Sequence, residues 1–199
     1  MKKLLSWVLL LCMVLMSSYA CAETAESEEI APDFKSFYWG DSKETVMAVE
    51  GTPILENELT AINAEYIAYE ATAVGLDAVL AYYFCDDGLF TVRYILAESH
   101  SNDSLYIDDY ETFKSALTKK YGEPYIDLED WENDSKKEYY ADNKGDALNY
   151  GYLTYFTVFE TDTSYIAMEM SADNYEITTS VTYESKEITA GEADYSDDI

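Results

Sequence analysis

One histidine, His100, stands among the 199 residues, inside Glu98-Ser99-His100-Ser101-Asn102-Asp103. Ser, His and Asp are the letters of an acyl-transfer triad. A triad, however, needs its base held in a packed site, with acid and nucleophile converging from separate elements. Neighbours in one polar loop do not supply that, so His100 is expected to be an ordinary surface residue. With no second His, classical zinc and Cys–His nucleophile sites are disfavoured. The densest acidic run, Asp127-Leu128-Glu129-Asp130-Trp131-Glu132-Asn133-Asp134, offers hard oxygen ligands, and Asp130, Glu132 and Asp134 are its candidates for Ca²⁺. Counted from Asp130 the EF-hand register fails, since Ser135 replaces the turn glycine and Ala141 the closing glutamate. Glycosidases need two carboxylates across a cleft, but 40 acidic residues produce such pairs by chance. No catalytic residue, cofactor or enzyme activity is expected from these motifs.

Tyrosine is the unusual component: 20 in the chain, with clusters at Tyr82-Tyr83, at Tyr139-Tyr140 and at Tyr150, Tyr152 and Tyr155. A phenol offers a large apolar area with a polar tip at little entropic cost, which suits contact with a protein or a sugar ring. Tyrosine also fits half-buried strand faces, which accounts for many of them. Tyr82, Tyr139 and Tyr140 are the contact candidates. Tyr82 is expected to point away from the apolar side of its hairpin, beside Arg93.

Residues 1–20 carry Lys2 and Lys3, then thirteen apolar-run positions, then small residues, the pattern of an export signal. The run is shorter than the ~20 residues of a spanning helix. Ser18-Tyr19-Ala20-Cys21 is similar to a lipobox, with Ser18 where Leu is usual and Tyr19 where a small residue is usual. Two readings stand: acylation of Cys21, giving a membrane-anchored lipoprotein, or ordinary cleavage after Ala20 or Ala22, giving a secreted chain. Acylation of Cys21, or its removal by cleavage after Ala22, leaves Cys85 a lone thiol; cleavage after Ala20 leaves Cys21 and Cys85 free to bridge. Loss of both leader lysines takes the net charge from −28 to −30. Such a chain repels nucleic acid and anionic lipid, so membrane contact is expected only through the anchor.

The elements that position these residues read as α+β. Residues 21–33 form an acidic linker and residues 185–199 an acidic disordered tail. Between them, Asp41 and Asp108 each precede a Glu by three positions, as in a capping box, and each begins a helical pattern: Val46 and Val49, then Phe113, Leu117 and Tyr121. Both helices are expected to stop at Gly-x-Pro, Gly51-Thr52-Pro53 and Gly122-Glu123-Pro124. Strands are expected over 65–73, over 79–96 as a hairpin tipped by Asp87-Gly88, and over 149–160, 164–170 and 175–183. In the hairpin, Val79, Ala81, Tyr83 and Cys85 are expected to share an apolar face with Phe90, Val92, Tyr94 and Leu96, making Cys85 a core thiol. The whole reads as a helix followed by three antiparallel strands, twice (34–100 and 101–184), with helices on one face of each sheet.

This order, with Trp39-Gly40-Asp41-Ser42, Val46 and Gly51-Thr52-Pro53, resembles the SmpA/OmlA family of outer-membrane lipoproteins (BamE-like) and the tandem-repeat β-lactamase inhibitor proteins. The chain departs from the inhibitors in lacking cysteines for their disulfides, and from the lipoproteins in having two repeats. The resemblance implies a non-catalytic extracytoplasmic module that binds a protein at the cell surface. The alternative is a carbohydrate-binding or hydrolytic wall protein using acidic and Tyr-rich surface; a pocket of converged carboxylates would favour it, and a flat Tyr-rich sheet face the protein binder.

Overall fold

The computed structural model describes residues 31–190; the leader, Cys21, most of the linker and the last nine residues lie outside them. Helix α1 spans Lys43–Glu50. Its cap is Ser42, whose Oγ accepts from the Thr45 N–H at 3.3 Å, while Asp41 accepts from the Tyr38 N–H. The helix stops at Gly51, whose left-handed φ of 92° turns the chain out while its N–H caps Met47. Helix α2, Ser104–Tyr121, ends in the same way at Gly122. It begins four residues before Asp108, with Asp103 in the cap position, so Asp108 lies within its first turns. Of the expected apolar positions, Val46, Phe113 and Leu117 are buried, whereas Val49 is exposed.

Eight strands follow: β1 Leu55–Leu59, β2 Ala64–Ala73, β3 Leu76–Cys85, β4 Gly88–Leu96, β5 Ile126–Trp131, β6 Leu153–Glu160, β7 Ser164–Asp173 and β8 Glu176–Ser185. They form one antiparallel sheet in the order β1-β2-β3-β4-β8-β7-β6-β5. Four strands therefore follow each of the longer helices, where three were expected. The additional pair, β1 and β5, are the sheet's two edges. Both are exposed along most of their length and carry too few apolar residues to sustain alternation, the signal by which strands are read. Two short helices, α3 Asp134–Tyr139 and α4 Lys144–Asn149, lie between β5 and β6. Beyond the expected end of the last strand, Ser185 still pairs with Ser164 and the Lys186 N–H bonds Thr163.

The helices share one face of the sheet. Val46 of α1, Tyr110, Phe113 and Leu117 of α2, and Ala147 and Leu148 of α4 join a single cluster with Ile67, Tyr82, Val92, Val181, Met168 and Phe159. The pairings Ile67↔Tyr82, Tyr82↔Val92, Val92↔Tyr183, Ile166↔Tyr183 and Phe159↔Ile166 carry this layer across six strands. The segment before α1 closes one end. Phe34 and Phe37 are buried against Tyr82, and Gly40 donates to the Leu89 carbonyl at 2.9 Å. Gly88 is required there: a Cβ on it would lie 2.3 Å from the Gly40 oxygen.

The hairpin's faces are the reverse of the expected ones along β3. Leu80, Tyr82 and Phe84 point into the core, and Ala81 and Tyr83 point away from it. Uninterrupted alternation on both arms puts Phe90 in phase with Val92; a register shift at Tyr83/Phe84 pairs Phe84 with Leu89 and gives Leu89 the buried place. Tyr82 is accordingly wholly buried, and Cys85 is half-buried at the hairpin end, its Sγ 3.7 Å from the Gly88 carbonyl. No helix among the described residues is long and apolar enough to cross a membrane.

Candidate functional site

Helices on one face leave the other uncovered by any described element. That face is built from the alternate positions of every strand: Tyr66 on β2, Ala81 and Tyr83 on β3, Arg93 on β4, Thr182 on β8, Ala167 on β7 and Phe156 on β6. Small residues at its centre, Ala68 and Ala81, are shielded by their taller neighbours. Tyr66 and Tyr83 lie ring to ring, 5.3 Å between centroids and 31° between planes. Arg93 Nε donates to Thr182 Oγ1 at 2.9 Å, which fixes the guanidinium in the middle of the face. Burial pushes the Tyr83 phenol above its usual range and the Arg93 charge partly offsets it, so Tyr83 meets a partner neutral. Toward the margins Leu55, Leu128 and Tyr165 are exposed. The pattern is a broad surface of aromatic, aliphatic and hydroxyl groups around one cation, with the exposed carboxylates Glu160, Glu169 and Glu184 on the same face, a mixture found at protein contact surfaces.

A second aromatic concentration lies at α3 and α4. Tyr139, 81% exposed, meets Tyr140, and Tyr140 meets both Tyr150 and Tyr152. Tyr175, in the β7–β8 turn, joins them through Tyr150 at 6.0 Å. The Tyr139-Tyr140 doublet is legible in the sequence; its union with Tyr175 is not. Tyr82, by contrast, cannot touch a partner from the core. It donates to Glu50 Oε1 at 2.5 Å, and burial followed by that bond pushes its phenol well above the usual range.

The acidic run is not a loop. Residues 126–131 are strand β5, where successive side chains point to opposite faces, so Glu129 and Asp130 diverge. Asp127 accepts from Thr157 Oγ1 at 2.9 Å, and Glu129 pairs with Lys144 at 2.6 Å. Glu132 lies just past the strand and Asp134 opens α3. Asp130, Glu132 and Asp134 therefore do not converge, and among the described residues no group of three or more His, Cys, Asp and Glu is placed to hold a metal ion.

His100 is more constrained than its polar neighbourhood implies. Its Nε2 meets Asp109 Oδ2 at 2.5 Å and its ring stands edge-on to Tyr106. Its hydrogen-bond partners are Tyr106 and Asp109, both of α2, so these contacts tether the loop to that helix. A shallow cleft of about 390 Å³ between β1, β2 and β3 brings Glu58, Glu65 and Asp86 together, but Lys43 neutralises Glu65 at 2.5 Å and the other two are exposed.

Comparison with known proteins finds no matching family model, no matching curated protein and no matching solved structure.

Proposed function

We propose that this chain is a non-catalytic binding module acting outside the cytoplasm, tethered through an acylated Cys21, and that its uncovered sheet face engages a protein partner at the cell surface. The observation that carries this reading is the face itself. The eight-stranded sheet presents aromatic, aliphatic and hydroxyl groups, interspersed with carboxylates, on the side opposite its helices. A shape so broad and shallow suits a folded protein better than a small substrate. The element order supports two repeats, each a helix and four strands. In this reading the halves join where β4 pairs with β8, the last strand of each. The likeness to SmpA/OmlA-type lipoproteins and to tandem-repeat inhibitors belongs to the same proposal, and rests on the first helix start, the Gly-x-Pro stops and this order.

The test is photocrosslinking in the native host. A photoreactive residue replacing Tyr165 or Leu128 is expected to give one discrete protein adduct, and the same residue at Glu123, beyond α2, none. Adducts to wall glycan, or equal labelling from both positions, would overturn the protein-binding reading. Intact-mass measurement of the membrane fraction tests the tether: a diacylglyceryl addition on a chain beginning at Cys21 is expected, and an unmodified chain in the medium would remove it.

A further inference from the structure

The tyrosine cluster has its own chemistry. Lys136 of α3 holds its ammonium 3.5 Å from the centre of the Tyr152 ring, so the cluster already seats a cation on a π face. The rings do not form a platform. Tyr140, Tyr150 and Tyr152 are tilted 42° to 58° from one another, and Tyr175 stands 83° from Tyr150. Sugars stack along coplanar faces, whereas these rings face different ways, and Tyr150 and Tyr175 keep 47% and 70% of their surface exposed to a partner.

The turn that delivers Tyr175 is costly. Asn174 and Tyr175 both have positive φ, 50° and 68°, the geometry of a two-residue hairpin turn in which glycine is preferred at the second place. A 70% exposed tyrosine there gains little from core packing, and strain kept at an exposed aromatic points to a role in contact. Tyr175 also lines a cleft of about 390 Å³ whose carboxylates are Asp103 and Glu176. Aromatic cluster and acidic cleft meet at Tyr175, on a chain whose net charge is −28.

We infer that Tyr150, Tyr175 and their cluster, with the cleft carboxylates Asp103 and Glu176, form a receptor for the lysine or arginine side chains of a basic polypeptide segment. One cation lies on the exposed surface of Tyr150 and Tyr175 as Lys136 lies on Tyr152, and a second reaches the cleft. The inference rests on the chain being a protein-binding module, but uses other residues than the open sheet face.

The experiment is calorimetric titration of the full mature chain with a short oligoarginine peptide and with the citrulline peptide of equal length. The variants are Tyr150→Ser with Tyr175→Gly, and Leu128→Ser with Tyr165→Ser on the open face. The tyrosine-cluster pair leaves net charge unchanged, so adhesion to a merely acidic surface is indifferent to it. Oligoarginine is expected to bind, citrulline not, and the cluster variant is expected to lose about ten-fold in affinity, the sum of two exposed or partly desolvated cation–π contacts. The open-face variant is expected to bind as the parent does. Parental affinity in the cluster variant, or no oligoarginine binding at all, would overturn the inference. Loss in the open-face variant alone would move the basic site there and leave the binding-module reading standing. Chitooligosaccharide binding that disappears with the cluster variant would make it a sugar site instead.

Discussion

Replacing Glu50 with Ala tests how the segment before α1, the helix and the sheet are locked together. Glu50 is the last residue of α1, and its Oε1 accepts from Tyr82 of β3 at 2.5 Å and from Lys35 at 2.9 Å. Tyr82 is wholly buried, so without Glu50 its hydroxyl has lost a charged acceptor and cannot turn to water. Stranding a buried donor costs about 1–3 kcal/mol. The Lys35 pair, at the surface, adds within about 1 kcal/mol. Glu50→Ala should therefore lose about 2–3 kcal/mol. Tyr82→Phe removes the donor together with its need for a partner and should lose about 1 kcal/mol. The double variant should be no less stable than Glu50→Ala alone, a coupling of roughly 1 kcal/mol or more between neighbours. Urea unfolding followed by tryptophan fluorescence gives each value, with an unchanged slope against denaturant; for a domain of this size Tm should fall roughly 5–10 °C in Glu50→Ala.

The pH dependence follows from the same contacts. Burial opposes ionisation of Glu50, but the hydrogen bonds from Lys35 and Tyr82 outweigh it and hold the carboxyl below its usual range. The folded state thus keeps the charge where the unfolded chain has taken up a proton. The contribution is complete above the unfolded value of about 4.3 and vanishes as pH falls through the lower folded value. The coupling should be constant from neutrality to roughly pH 5 and collapse in stronger acid. Strict additivity of the two substitutions, or a coupling that persists in strong acid, would refute the assignment.

Two further expectations come from the same structure. Gly88→Ala should destabilise by about 2–3 kcal/mol, because strain at φ 95° is joined by a Cβ at 2.3 Å from the Gly40 oxygen, whereas Gly75→Ala, at φ 85° with open space around it, should cost about 1 kcal/mol; equal losses in denaturant unfolding would refute the close approach. Burial pushes Tyr94 up to about 12 and raises Tyr82, Tyr110, Tyr155 and Tyr183 above the usual range too, so these phenols stay neutral when their unfolded counterparts ionise. Stability should hold up to about pH 10 and fall beyond it as the unfolded chain sheds protons. Phenolate absorbance should rise in two stages, the second coinciding with unfolding, and a single stage near the ordinary value would contradict the burial.

Local signals carried a good part of the fold. Gly51 and Gly122 end their helices where the sequence places the stops, because a left-handed cap is a property of a few consecutive residues. Strands β7 and β8 announce themselves through alternation, since each has one largely buried face. The start of α2 was misjudged because an acid three residues before a glutamate fits equally well inside a helix. No element is expected over residues 144–148, and the strand expected from Asn149 begins only at Leu153; 144–149 are helical instead, since Asn143 Oδ1 accepts from the Asp146 N–H to begin the turn, and Ala147 and Leu148 fill the core beside α2.

What the sequence by itself determined is the chain's chemistry and class: an acidic α+β protein, short of histidine, rich in tyrosine, with helices punctuated by glycine. These follow from composition and from contacts a few residues apart. Tertiary structure alone decided which face each tyrosine takes. A register shift at Tyr83/Phe84 carries Tyr82 into the core beside Glu50, and pairing of β7 with β8 brings Tyr175 to Tyr150. Strand phase inverts with a one-residue slip, and the energy that sets it comes from partners distant in sequence, so no local window contains it.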